Sequence, residues 1–299
     1  MKLYAPSYYK KFKCIADKCD HSCCIGWEID IDPVTLEKYN KLKGGYGSVI
    51  LGSIVTDGTP HFKLGEGDRC PHLNENGLCN VILELGEDHL CDICREHPRF
   101  YNFTDVAEVG IGMSCTEAAR IILSSPDYTE MECVGESDCE PDLIDFSGRA
   151  YREDIYRILT DRSRDYSERL NEIYRKYGIS VGDDGVLLEA LGSMEYLDDS
   201  HRDQFMKYSM ERRADGNDEY LERFLAYFIY RHCTEAFDPD DFRSRLAFCL
   251  FCERLFSSLI VSENASSLSD ISVLARIISE EIEYSYENTA ALTAIAENV

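Results

Sequence analysis

No stretch of about eighteen consecutive apolar residues occurs in this 299-residue sequence, so a membrane-spanning helix is not expected. The opening MKLYAPSYYKKFKC carries charge but no apolar core, which does not fit a secretory leader. A cytoplasmic protein, making no use of a membrane, is the expectation. Basic residues are few: 31 Lys and Arg stand against 56 Asp and Glu, for a net charge of −25. The acidic excess runs through both halves of the chain. Such a surface repels phosphate backbones, so nucleic acid is not an expected partner, whereas a lysine-bearing protein is attracted. No G-x-G-x-x-G follows a strand-like run, so no Rossmann-type nucleotide site is visible. The C-x3-C-x2-C spacing of radical enzymes is missing, and so are the ferredoxin spacings. There is no internal repeat and no low-complexity tract. Tryptophan occurs once, at Trp27, read as a packing anchor beside a metal region.

Cysteine, by contrast, is abundant, with fourteen in all. Cytosolic thiols stay reduced, so this count points to metal or cluster ligation and away from a disulfide framework. Nine of them, Cys14, Cys19, Cys23, Cys24, Cys70, Cys79, Cys91, Cys94 and Cys115, fall within the first 115 residues. Thiolates bind zinc in fours and hold iron–sulfur clusters in fours. Nine exceed one such site, so either two sites exist or one has spare thiols beside it. Cys23 and Cys24 are adjacent. Neighbours point in different directions in any regular element, and a disulfide between them is strained, so one is expected to serve a site and the other to face elsewhere. His21, His72, His89 and His97 lie among the cysteines and are available to a zinc site, although surface or capping roles are commoner for each. Cys249 and Cys252, one turn apart in the apolar LAFCLFCERLF, read as core.

The texture divides the chain. Residues 1–140 form a cysteine-rich metal- or cluster-binding domain, rich in turns such as KGGYG, DGTP, LGEGD and NENG. Short helices punctuate it. Asp32 caps one, with Pro33 first and Leu36, Tyr39 and Leu42 on one face, stopped at Gly44. Another runs from Cys115 to Leu123. Residues 141–299 show apolar stripes at helical spacing, from Ile155, Ile158 and Leu159 through Leu274, Ile277, Ile278 and Ile282, and read as a helical bundle. The junction is placed at residues 136–142. The expected fold is mainly α: a loop-rich, metal-stabilised N-terminal region packed on a C-terminal bundle.

Three ordered blocks carry a family resemblance: FKCIADKCDHSCCIGWEIDID, CPHLNENGLCNVILELGEDHLCDICREHPRF and MSCTEAARIIL. They resemble the cysteine-rich core of the flagellin lysine N-methylase family, which is related to small zinc- or iron-chelating domains. The likeness covers residues 1 to about 125 and extends more loosely to YFIYRHCTEAFDPDDFRSRLAFCLF and EEIEYSYENTAALTAI. It implies methyl transfer from S-adenosylmethionine to lysine side chains of flagellin. It also implies an iron–sulfur cluster, of the 4Fe-4S type, held by the nine cysteines above, with zinc the alternative. Thr116 stands where the family has proline, and Glu283-Tyr284-Ser285 where the family has Glu-His-Ser, which removes a histidine.

Lysine methylation needs a neutral amine, so the site must take a proton from an ammonium of pKa about 10.4. Tyr101, Glu96 and Glu117, near the cysteine blocks, are the candidate bases. Arg95, Arg99 and Arg120 are candidates for the donor's carboxylate, although salt bridges to the many acids are the commoner role for each. Met113 and Tyr101 otherwise read as core. Two other functions fit the residues. One is a non-catalytic zinc- or cluster-binding module that binds a basic protein; the other is a metal-handling or redox-sensing protein.

Overall fold

The structure, a computed structural model, describes residues 1–140, 146–180, 184–209 and 211–297; residues 141 and 142 of the expected junction lie outside them. The chain folds as two compact units. One comprises Lys13–Arg99, the other Met1–Phe12 together with Phe100–Val299. The expected domains met near residue 140, whereas the compact units divide at 12 and 99. The reason is strand pairing. Lys2–Pro6 runs parallel to Ala107–Ile111, with Leu3 opposite Ala107, and antiparallel to Met131–Glu136, with Pro6 opposite Met131. Arg99–Phe103 completes a four-stranded sheet at the outer side of Ala107–Ile111. Parallel neighbours need a crossover, and the cysteine-rich unit is inserted in that crossover.

Helices dominate the larger unit, and the protein is mainly α. Gly148–Leu159 and Tyr166–Tyr177 carry the stripe that begins at Ile155. Asp165 caps the second through a capping box, and Gly178 ends it in the left-handed conformation that glycine adopts most easily (φ 63°). Asp218–Cys233, Pro239–Ser262 and Leu268–Ile278 follow, the last running into a π-helical turn, Ser279–Glu283. Thr116–Ser124 joins them, with Ala118, Ile122 and Leu123 buried. One continuous core links Ile111 and Met113 at the sheet's end to Phe224, Phe228, Phe251, Phe256 and Ile278. Met113, Cys249 and Cys252 are fully buried, as read. Tyr101 is not core: it is 41% exposed and stacks on Phe103.

The smaller unit is loop-rich. Asp32 accepts the Thr35 N–H at 2.8 Å and starts the helix Pro33–Asn40. The helix ends at Asn40, before Leu42 and the expected stop at Gly44, and Gly45–Gly52 forms a second helix where the sequence suggested a turn. Gly47 permits it: a Cβ at that position would lie 2.5 Å from the Leu42 Cβ. A small apolar core gathers Ile29, Ile31, Tyr39, Ile50, Phe62, Leu73 and Val81 with Cys70 and Cys91. No helix among the described residues is long and apolar enough to cross a membrane.

Candidate metal centre

Local backbone geometry brings five of the nine predicted thiols onto that small core. The Cys70 N–H donates to the Cys24 carbonyl at 2.9 Å, so two residues distant in sequence become neighbours. Cys70 opens the turn whose bridge, Leu73 with Cys79, returns the chain to Cys79. Cys91 precedes the short helix Asp92–Glu96 and thereby carries Cys94. The helix Pro33–Asn40 fixes this last turn twice. Asp32 accepts the Asp92 N–H at 3.0 Å, and the Tyr39 hydroxyl donates to the His89 carbonyl at 2.6 Å, lying 3.6 Å from the Cys91 sulfur. Cys70 and Cys91 are buried in the cluster, and Cys24, Cys79 and Cys94 pack against it.

The protons on these thiols respond to one another. Burial pushes the Cys70 thiol up to about 11, with Cys24 and Cys79 adding to the effect, and raises Cys79. Cys91 and Cys94 act on each other in opposite senses: the hydrogen bond between them lowers the Cys91 thiol and raises that of Cys94. A hydrogen bond from Cys23 brings Cys24 down to about 7, with Ser22 and Arg69 helping against burial. The adjacent thiols thus engage each other, while differing in setting: Cys23 is exposed and Cys24 half-buried. No disulfide joins any cysteine. Among the described residues no three His, Cys, Asp or Glu groups already stand at metal-holding geometry.

In chemistry, five thiols on one core are the donor type that a thiophilic metal or an iron–sulfur cluster takes. Cys70 and Cys79 resist ionisation because burial penalises the charged form. A bound metal replaces the protons and reverses that preference. His72 lies beside Cys70 but is committed elsewhere. Its Nδ1 meets the Tyr46 hydroxyl at 2.7 Å and its Nε2 the Ser53 hydroxyl at 3.0 Å, and burial holds it at about 4. His89 Nδ1 and His97 Nε2 are buried without a partner among the described residues.

Cys14 is exposed and its sulfur accepts the Ala16 N–H; Cys19 is half-buried. Cys115 belongs to the larger unit, at the start of Thr116–Ser124. Arg95 pairs with Asp92 and lies 3.7 Å from Glu96. Arg99 donates to the Arg95 carbonyl. Arg120 is held by both oxygens of Glu117 at 2.6 and 2.7 Å. Tyr39, Tyr46 and Arg69, which frame the thiols, were not singled out in the sequence. Tyr39 read only as the apolar face of a helix.

No family model matches the chain, and no solved structure matches it. Among curated proteins, the flagellar biosynthetic protein FliU of Salmonella muenchen is 28% identical over 170 residues, which is 54% of this chain and 93% of that protein. Lysine-N-methylases of Salmonella typhimurium and Salmonella choleraesuis are each 28% identical over 130 residues, 41% of this chain. The matched region is 32% of those enzymes' length. Over this part of its length the chain is similar to the lysine-N-methylases, the family its cysteine blocks resemble.

Proposed function

We propose that the protein is a protein lysine N-methyltransferase, with S-adenosylmethionine as donor and a flagellin-type, lysine-bearing protein as substrate. The carrying observation is the convergence of Cys24, Cys70, Cys79, Cys91 and Cys94 on one small core, in a chain related to lysine-N-methylases. Four of these five would hold an iron–sulfur cluster, which when bound supplies an electron-rich metal centre and anchors the loops of its unit. The chain's own residues do the rest. Tyr39 steadies the Cys91 turn through the His89 carbonyl and keeps water from the Cys91 sulfur. Arg69, beside Cys24, favours its thiolate. The acidic surface draws in a cationic substrate, and desolvation at the site favours the neutral amine.

The test is anaerobic purification with iron and sulfide analysis, then incubation with S-adenosylmethionine and flagellin. Mass spectrometry should show one added methylene mass per methylation on lysine. A cluster-loaded protein that gives no increment on flagellin or on any basic host protein overturns the reading.

One observation favours a second reading. The unpartnered nitrogens of His89 and His97 are the ligand type that zinc shares with thiolate. A colourless protein with one zinc and no iron after anaerobic isolation selects a zinc module that binds a basic partner.

A further inference from the structure

The larger unit buries a polar cluster that the cysteine blocks do not explain. Its centre is Arg231, in the last turn of Asp218–Cys233. The guanidinium lies over the Phe100 ring at 4.4 Å and faces the Tyr284 ring at 5.5 Å. Its Nε forms an ion pair with Glu283 at 2.9 Å. Glu283 is itself fully engaged. His232 Nε2 reaches it at 2.8 Å, and the Tyr227 hydroxyl donates at 3.1 Å while accepting the Met113 N–H. The π-helical turn Ser279–Glu283 aims this carboxylate inward, and such turns are often found at functional sites.

Arg231 Nη1 is buried and has no acceptor among the described residues. An unmet donor on a buried cation is costly, more so than on a neutral group. Native folds seldom retain one unless a ligand or water completes it. The side chain nevertheless keeps 16% of its exposure, and Tyr284 keeps 36%, so the cluster opens to solvent at its aromatic rim. Glu283 already balances the Arg231 charge. Little positive field remains for a phosphate dianion, whereas a single carboxylate on a molecule with apolar surface suits one free donor between two rings. Two of the three arginines suggested by the sequence suit it less: Arg120 is closed by Glu117, and Arg95 by Asp92.

We infer that Arg231, flanked by Phe100 and Tyr284, anchors the carboxylate of the methyl donor. This rests on the methyltransferase reading. It adds a binding residue in the larger unit, outside the thiol cluster.

The experiment is calorimetry on the full, cluster-loaded chain with S-adenosylmethionine and with its decarboxylated analogue. The native protein should bind the analogue at least about tenfold more weakly. In Arg231→Lys, which keeps the charge beside Glu283 but not the fork, that preference should shrink to about twofold, with iron content and thermal melting retained. Equal binding of both ligands by the native protein overturns the inference without any substitution. So does a preference that persists in Arg231→Lys, in which case the methyltransferase reading survives if lysine products still form. A native protein that binds neither ligand and gives no methylated lysine overturns both.

Discussion

Arg152 grips Glu108 with two hydrogen bonds of 2.7 Å, and both side chains are 2% exposed. Glu108 lies on the strand Ala107–Ile111 and Arg152 on the helix Gly148–Leu159. The pair therefore ties the sheet to the bundle across the position where the sequence suggested a junction. Arg152 also donates to Thr234 and sits 5.0 Å over the Tyr230 ring. Removing one partner leaves a buried charge uncompensated. Glu108→Ala should cost about 3–5 kcal/mol in denaturant unfolding, whereas Glu108→Leu with Arg152→Met should recover much of it. Similar losses in the single and double variants would show that the pair is not what holds this contact.

Gly148 opens that helix where the backbone is crowded. A Cβ there would lie 2.3 Å from the Cys233 carbonyl oxygen and 2.8 Å from that of Thr234. Neither is the end of a flexible side chain. Gly148→Ala is expected to lower stability by about 1–3 kcal/mol despite alanine's better helix propensity. An unchanged melting temperature would place the helix start farther from those carbonyls.

The thiols are expected to separate by role. Cys70→Ser and Cys91→Ser should each reduce iron and sulfide content. Cys249→Ala should keep it and cost only packing, because Cys249 is fully buried in the apolar core beside Cys233. Full metal retention in both serine variants would move the site away from the small core.

Metal removal should act unevenly as well. Each unit has its own core, so chelation should speed amide exchange across residues 13–99 and leave Asp218–Cys233 and Pro239–Ser262 protected. Uniform loss of protection would show one cooperative unit.

Glu253 supplies a pH test. It is fully buried, hydrogen-bonded by Tyr166 and 3.3 Å from Arg213, and burial raises its carboxyl above the ordinary value. A raised folded-state pKa means the folded form binds the proton more tightly. Stability from this group is therefore complete below the unfolded pKa of about 4.3 and declines as pH rises through the folded value. Glu253→Gln should match or exceed the native melting temperature at neutral pH. The difference should close as the pH falls toward 4. A variant less stable at neutral pH would mean that the Arg213 pairing outweighs the burial.

The sequence by itself determined the local elements and the chemistry. Asp32-Pro33 set a helix start because a carboxylate cap and a fixed φ act within one turn. Gly178 set a stop for an equally local reason. The cysteine count marked out a thiol-rich unit, and the apolar stripes announced a bundle, because composition and periodicity survive without knowledge of neighbours. Tertiary structure decided what depends on distant partners. The placing of Lys2–Pro6 between Ala107–Ile111 and Met131–Glu136 follows from sheet register, which no local pattern encodes. It moved the boundaries from 140 to 12 and 99. The gathering of Cys24, Cys70, Cys79, Cys91 and Cys94 on one small core, out of nine similar thiols, draws on contacts between distant residues such as Cys70 with Cys24 and Tyr39 with His89. The Arg231–Glu283 contact joins residues 52 positions apart. Side chains so separated meet only when the helices that carry them pack, and that packing is a property of the whole core.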